Sequence, residues 1–232
     1  MTSLGPEDYQ AIGLSLKIAG VASLVSLPLA IATAYCLARF RFRGQMLLNV
    51  LVHLPLVLPP VVTGYVLLLL FGRQGPLGQM LEACCGIVLS FRWTGAALAA
   101  AIMAFPLMVR TIRVSFEQGD GRLEQAAASL GAPPWAIFFT ITLPLAMSGL
   151  VSGLLIGFAK ALGEFGATMT FVSNIPGQSR TIATSIYGYT QIPDGEAPAL
   201  ALAGISIAIS VVALVLSELL MRRLNRHRKA NP

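Results

Sequence analysis

Apolar residues dominate five stretches of the chain, roughly 12–38, 46–71, 93–109, 145–163 and 197–221, and polar or charged residues gather in the gaps between them. A helix needs about 20 consecutive apolar residues to cross the hydrocarbon layer of a bilayer. The pattern therefore predicts an all-α integral membrane protein with five transmembrane helices. Breakers modulate the stretches. Pro28 in the first is tolerable in a membrane helix and suggests a bend. The second carries Pro55, Pro59 and Pro60, then Thr63 and Gly64, a density that predicts a kinked or locally unwound helix. Residues 72–86 read as a turn and a short amphipathic helix at the outer surface. The third stretch is rich in alanine (Ala96, Ala97, Ala99, Ala100, Ala101 and Ala104), a small face that lets neighbouring helices come close. Residues 165–196 read as the outer end of the fourth helix, a loop and one short helix.

Charge orients this arrangement. The chain has 232 residues, 56% hydrophobic and 11% charged, too apolar for a water-soluble core of ordinary size. Arg39, Arg41 and Arg43 follow the first stretch, Arg110, Arg113 and Arg122 the third, and Arg222, Arg223, Arg226, Arg228 and Lys229 the fifth. Basic loops stay in the cytoplasm, so the N-terminus is expected outside, in the periplasm, and the C-terminus in the cytoplasm. The apolar run after Glu7 and Asp8 is too long for a signal-peptide core, so the first helix should stay attached. The net charge of +6 lies beside the helix ends, where anionic lipid attracts it, and does not predict nucleic-acid binding. Cys36 and the adjacent Cys84 and Cys85 form neither a metal-ligand spacing nor a disulfide framework.

Between the third and fourth stretches lies a segment, residues 120–144, with its own punctuation. Asp120 can cap a helix running from Arg122 to Leu130, and Gly131 supplies the left-handed residue that ends it. Pro133 and Pro134 suit the start of a second helix, in which Trp135, Phe138 and Ile141 recur at helical spacing. Small Ala126 and Ala127 with a bulky rim of Trp135 and Phe139 fit a projection that inserts into a cleft of another protein.

This segment resembles the EAA loop of ABC importer permeases: Gln125-Ala126-Ala127, Gly131, Ile141, Leu143 and Pro144 match its spacing. The departure is that the triplet's acid position holds Gln125, with the carboxylate one residue earlier at Glu124. A one-residue shift turns a side chain by about 100° around a helix, so either residue could make the ATPase contact. The resemblance runs through nearly the whole chain: Ser-Leu-Pro-Leu-Ala from Ser26, Leu-Pro-Leu-Val-Leu-Pro-Pro-Val-Val-Thr-Gly-Tyr from Leu54, Gly-Arg-Gln-Gly-Pro-Leu-Gly from Gly72 and Ala-Leu-Gly-Glu-Phe-Gly-Ala-Thr from Ala161. Together these look like the permeases of molybdate ABC importers. The last motif is shared with sulfate and thiosulfate permeases, which are usually longer and have an extra N-terminal span. The resemblance implies one type I importer transmembrane domain over residues 1–232 in a bacterial inner membrane, a homodimer, two cytoplasmic ABC ATPase subunits and a periplasmic oxyanion-binding protein. Molybdate is the implied cargo, with tungstate beside it. No cofactor is expected in this chain. Its only lysines, Lys17, Lys160 and Lys229, stand outside any Gly-x-x-x-x-Gly-Lys loop, so ATP and Mg belong to the partner.

Lys160 and Glu164 lie one turn apart in the fourth stretch, where pairing neutralises two otherwise expensive charges. The functional alternative makes Glu164, flanked by Gly163 and Gly166, part of an outer gate. The expected path takes in Pro59, Pro60, Thr63 and Gly64, with Thr63, Ser152 and Thr168 as weak donors, because a route that holds an anion tightly does not release it. Two rivals stand further off. An intramembrane serine protease would need His53 to meet a serine such as Ser148. An ion-coupled carrier would want several buried carboxylates and a repeated chain, and Glu164 is the sole candidate.

Overall fold

The computed structural model describes residues 4–230, with 217 and 220–230 described by backbone alone. The helices are α1 (Pro6–Arg39), α2 (Gln45–Val57), α3 (Pro60–Phe71), α4 (Pro76–Cys85), α5 (Trp93–Gln118), α6 (Gly121–Ser129), α7 (Pro134–Ile137), α8 (Leu143–Leu145), α9 (Met147–Leu162), α10 (Gly166–Val172), α11 (Ile182–Tyr189) and α12 (Glu196–Ala230), with a π-helical turn at Phe138–Thr142. Among the described residues, three helices are long and apolar enough to cross a membrane alone, α1, α5 and the 196–216 part of α12; two bent pairs bring the number of spans to as many as five. The arginines at 222–228 and Lys229 have side chains outside the described residues.

The first pair shows the break expected in the second span and gives its angle. α2 and α3 meet at 112°, a corner rather than a kink. Leu58 is extended because it precedes a proline, and Pro59 and Pro60 cannot donate to the turn before them. Pro28, by contrast, is carried inside an unbroken α1. The second pair, Pro134–Leu145 with α9, bends by 67°. The predicted second helix of the 120–144 segment does start at Pro134, but it passes into the π turn after one turn. Pro144 explains this: its ring crowds the carbonyl four residues back, and the preceding Leu143 N–H reaches Phe138 O, five residues back. The region after residue 165 follows the expected order: α10 continues the outer end of the fourth helix after a break at Gly163–Phe165, a loop follows, and α11 is the short helix.

α5 is the central rod, packed against α1, α9, α10 and α2. Ala96, Ala97, Ala99, Ala100 and Ala104 are all buried, so the alanine face does admit close neighbours. Two apolar clusters fill the bundle. One, around Phe171, Met103 and Ile18, lies where α1, α5 and α10 meet; the other, around Phe116, Met108 and Leu37, lies at the opposite end of α5. The end holding Pro6 is tied by polar contacts: Glu7 to Arg180 at 2.6 Å, Ser15 Oγ to the Ile182 N–H at 2.8 Å, and the Tyr189 hydroxyl to Asp8 at 2.9 Å. Burial and then the bond to Asp8 push the Tyr189 phenol above its usual range, so it keeps its proton and donates to Asp8 at neutral pH.

Candidate functional site

The 120–144 segment is built by local rules. The Asp120 carboxylate accepts the Arg122 N–H at 3.0 Å and starts α6. Gly131, at φ +84°, stops it; its N–H bonds Ala128 O and the Ala132 N–H reaches back to Ala127 O at 3.1 Å. Side chains of Leu123, Leu130, Trp135 and Phe139 are exposed, Leu130 by 88% and Trp135 by 69%. Gln125 and Ala126 are exposed beside them, and Ala127 is half-buried. Four apolar side chains thus stand in the open around a small-residue face, an exposed patch larger than scattered surface apolars make.

The base of the same segment is fixed. Phe138 stacks edge-on against Tyr35 of α1 at 4.8 Å between ring centres, and Tyr35 meets Phe116 of α5 at 5.4 Å. Such pairs contribute about 0.5–1.5 kcal/mol each beyond the area they bury. Ile141 and Leu143 are half-buried in this base, while Pro144 is exposed. Glu124 points the same way: one oxygen accepts both Arg39 Nη2 at 2.7 Å and Thr142 Oγ1 at 2.9 Å. Of the two residues the sequence offers for a partner contact, Glu124 is therefore held inside its own chain and Gln125 is left facing out. Arg39, counted in the sequence only as an orienting charge, is the residue that holds it.

A second constellation joins segments about 100 residues apart. α3 lies against α10 so closely that a Cβ on Gly64 would stand 2.5 Å from Ala167 O and 2.9 Å from Thr170 Cβ. A Cβ on Gly166 would stand 2.7 Å from the Pro60 ring. Pro60, Thr63, Gly64, Gly166 and Thr168 are thus brought into one crossing, with Pro59 at the corner that aims α3 into it. Thr168 is buried and donates to Phe165 O at 2.9 Å. Thr63 is buried with its hydroxyl unpartnered. Glu164 is 3% exposed and fully engaged: one oxygen accepts Lys160 Nζ at 2.8 Å, and the other accepts the Ala167 N–H at 3.0 Å, capping α10. Gly163, just before it, is exposed. The pairing expected of Lys160 and Glu164 is present, and the carboxylate works as a strut at the helix break.

One signal was legible and went unread. Gly149, Gly153 and Gly157 recur every four residues along α9, and a Cβ at each would collide with Ser115, Ile112 and Met108 of α5. This small-x-x-x-small seam sets the spacing of the two central helices. His53 meets no serine; its Nδ1 lies 2.8 Å from Asn49 O, one turn back on its own helix.

An all-helical bundle with helices long and apolar enough to cross a membrane and two bent helix pairs has the build of an integral membrane protein, and the family comparison gives its class. Residues 26–226 match the model of binding-protein-dependent transport system inner membrane components, and the chain belongs to that family. It is therefore a multi-pass inner-membrane subunit of an ABC transporter. The chain is similar to the molybdenum transport system permease protein ModB of Escherichia coli, 53% identical over 93% of this chain and 94% of that one. It is 50% identical to ModB of Haemophilus influenzae over 94% of this chain and 96% of that one. The sulfate transport system permease protein CysW of Synechococcus elongatus is 35% identical over 97% of this chain and 78% of its own length. Among solved structures, a bacterial alginate ABC transporter in complex with its alginate-bound periplasmic protein superposes with a TM-score of 0.75 at 17% identity, covering 95% of this chain and 80% of that one. The MetNI methionine ABC transporter superposes at 0.69 with 13% identity, covering 94% of each. These two share the fold of type I importer permeases.

Proposed function

We propose that this chain is the membrane-spanning subunit of an importer that carries molybdate, and tungstate with it, into the cytoplasm. The observation that carries the reading is the exposed α6–α7 projection, stiff at its base and apolar at its tip, on a chain half identical to molybdenum permeases over nearly its full length. In this reading two copies form the pathway, and each projection seats in a cytoplasmic ATPase subunit that binds ATP and Mg. Gln125, Ala126, Leu130, Trp135 and Phe139 form the seated surface, and Glu124 keeps the projection in register with α1. A periplasmic oxyanion-binding protein delivers cargo at the end that holds Glu7 and Arg180, which puts the N-terminus outside and the C-terminus in the cytoplasm. The α3–α10 crossing, with Pro59, Pro60, Thr63, Gly64, Gly163, Glu164, Gly166 and Thr168, forms the gate, and the Thr63 hydroxyl is its donor.

The test is uptake by vesicles holding the full complex and its binding protein, with molybdate, tungstate and sulfate in competition. ATP-dependent molybdate uptake suppressed by tungstate and only weakly by sulfate is expected. Sulfate competing as well as tungstate would instead favour the sulfate permeases, to which the chain has a lesser likeness. Uptake without ATP would overturn the importer reading.

A further inference from the structure

Between the inner halves of α5 and α9, beside the α6 projection, opens a cleft of 420 Å³ whose polar lining is Arg110, Thr111, Ser115, Gln118, Ser148 and Ser152. A second cleft of 200 Å³ continues it, sharing Ser115, Gln118 and Ser148 and ending at Asp120. Resting on the reading of this chain as an oxyanion permease, we propose that this cleft is a transient cytoplasmic-side binding site for the tetrahedral oxyanion leaving the pathway.

The lining argues for that ligand. The Ser115 and Ser148 hydroxyls, the Gln118 amide and the Arg110 guanidinium carry donors, and a tetrahedral dianion offers only acceptors. Arg39, Arg113 and Arg180 each have a carboxylate at 2.6–2.7 Å; Arg110 has none among the described residues. One cation among neutral donors holds an anion without trapping it, which is what conduction requires. The glycine seam adds the room: a side chain at residue 149 would fall on the Ser115 hydroxyl, so Gly149 keeps that donor accessible to the cleft. Asp120 at the far end repels an anion and confines it to the Arg110 side, because its carboxylate is fixed by capping α6. A lipid phosphate has the same donor requirements, so the test must separate the two sources.

The complex with its ATPase subunits is placed in vesicles with Cys36, Cys84 and Cys85 replaced by serine and Ser148→Cys as reporter, and maleimide labelling is timed. Molybdate or tungstate should slow labelling severalfold relative to chloride at equal ionic strength. Arg110→Gln should abolish the protection and Arg110→Lys retain part of it. Equal protection by chloride, or protection surviving Arg110→Gln, would overturn the site. So would labelling that falls when phosphatidylglycerol is added to phosphatidylcholine vesicles and ignores molybdate, since a headgroup then occupies the cleft. If Ser148→Cys does not assemble, Ser115→Cys serves as the reporter under the same criteria. Uptake by the unmodified complex is measured alongside: uptake without protection sinks this inference alone, and absent uptake sinks the importer reading with it.

Discussion

The α6–α7 projection and the α3–α10 crossing are the two regions richest in motifs, and they are made in opposite ways. The 120–144 projection is assembled from local bonds two to five residues apart, stands in the open at its tip, and is tied at its base to Arg39 and Tyr35 of α1. The crossing joins helices a hundred residues apart in sequence and has no room for one added carbon at Gly64. The exposed part is specified locally, by bonds along its own short stretch of chain. The buried crossing depends on contacts from both sides, and its tolerance is correspondingly small.

The contrast can be broken most easily at the crossing. Gly64→Ala puts a carbon against backbone that cannot step aside, and should abolish uptake while lowering stability by about 1–3 kcal/mol; thermal unfolding in detergent and vesicle uptake report both. Wild-type uptake by that variant would mean the crossing is looser than its geometry. Ala126→Trp comes next: uptake and ATPase stimulation should be lost, whereas membrane insertion and thermal stability stay near wild type, because the site is exposed. Co-purification with the ATPase subunit separates lost docking from lost folding.

Smaller effects sharpen the comparison at the base of the projection. Glu124→Gln removes a half-buried ion pair with Arg39 that contributes on the order of 1 kcal/mol and should raise ATP consumed per molybdate imported, with Arg39→Lys milder than Arg39→Gln. If Glu124→Gln instead abolished co-purification, Glu124 would be a docking residue and the inward pin an incidental contact. The smallest stability change is expected for Thr63→Val. The hydroxyl is buried without a partner, so its loss should leave stability within about 1 kcal/mol of wild type or improve it. Uptake should nevertheless fall; unchanged uptake would remove Thr63 from the path.

The projection was legible because each of its signals acts over one or two turns. Asp120 as cap, Gly131 as left-handed stop and Pro134 as the first residue of the next helix all stand where the spacing predicts. The same locality failed at Pro144, whose steric demand is met by a π turn that apolar spacing cannot register. Breakers at Pro59 and Pro60 announced a fault in the second span, but not a 112° corner, since its angle is set by what α3 packs against.

Chain order by itself determined that this protein is a multi-pass membrane subunit and that residues 120–144 form a capped helical hairpin, because hydropathy and capping are properties of neighbouring residues. Only the folded bundle decided that Glu124 turns inward to Arg39, that Gly64 and Gly166 face each other's helices, and that Arg110 shares a cleft with Ser148. Those facts depend on which helix surfaces meet, and that choice is made by the packing of all of them at once.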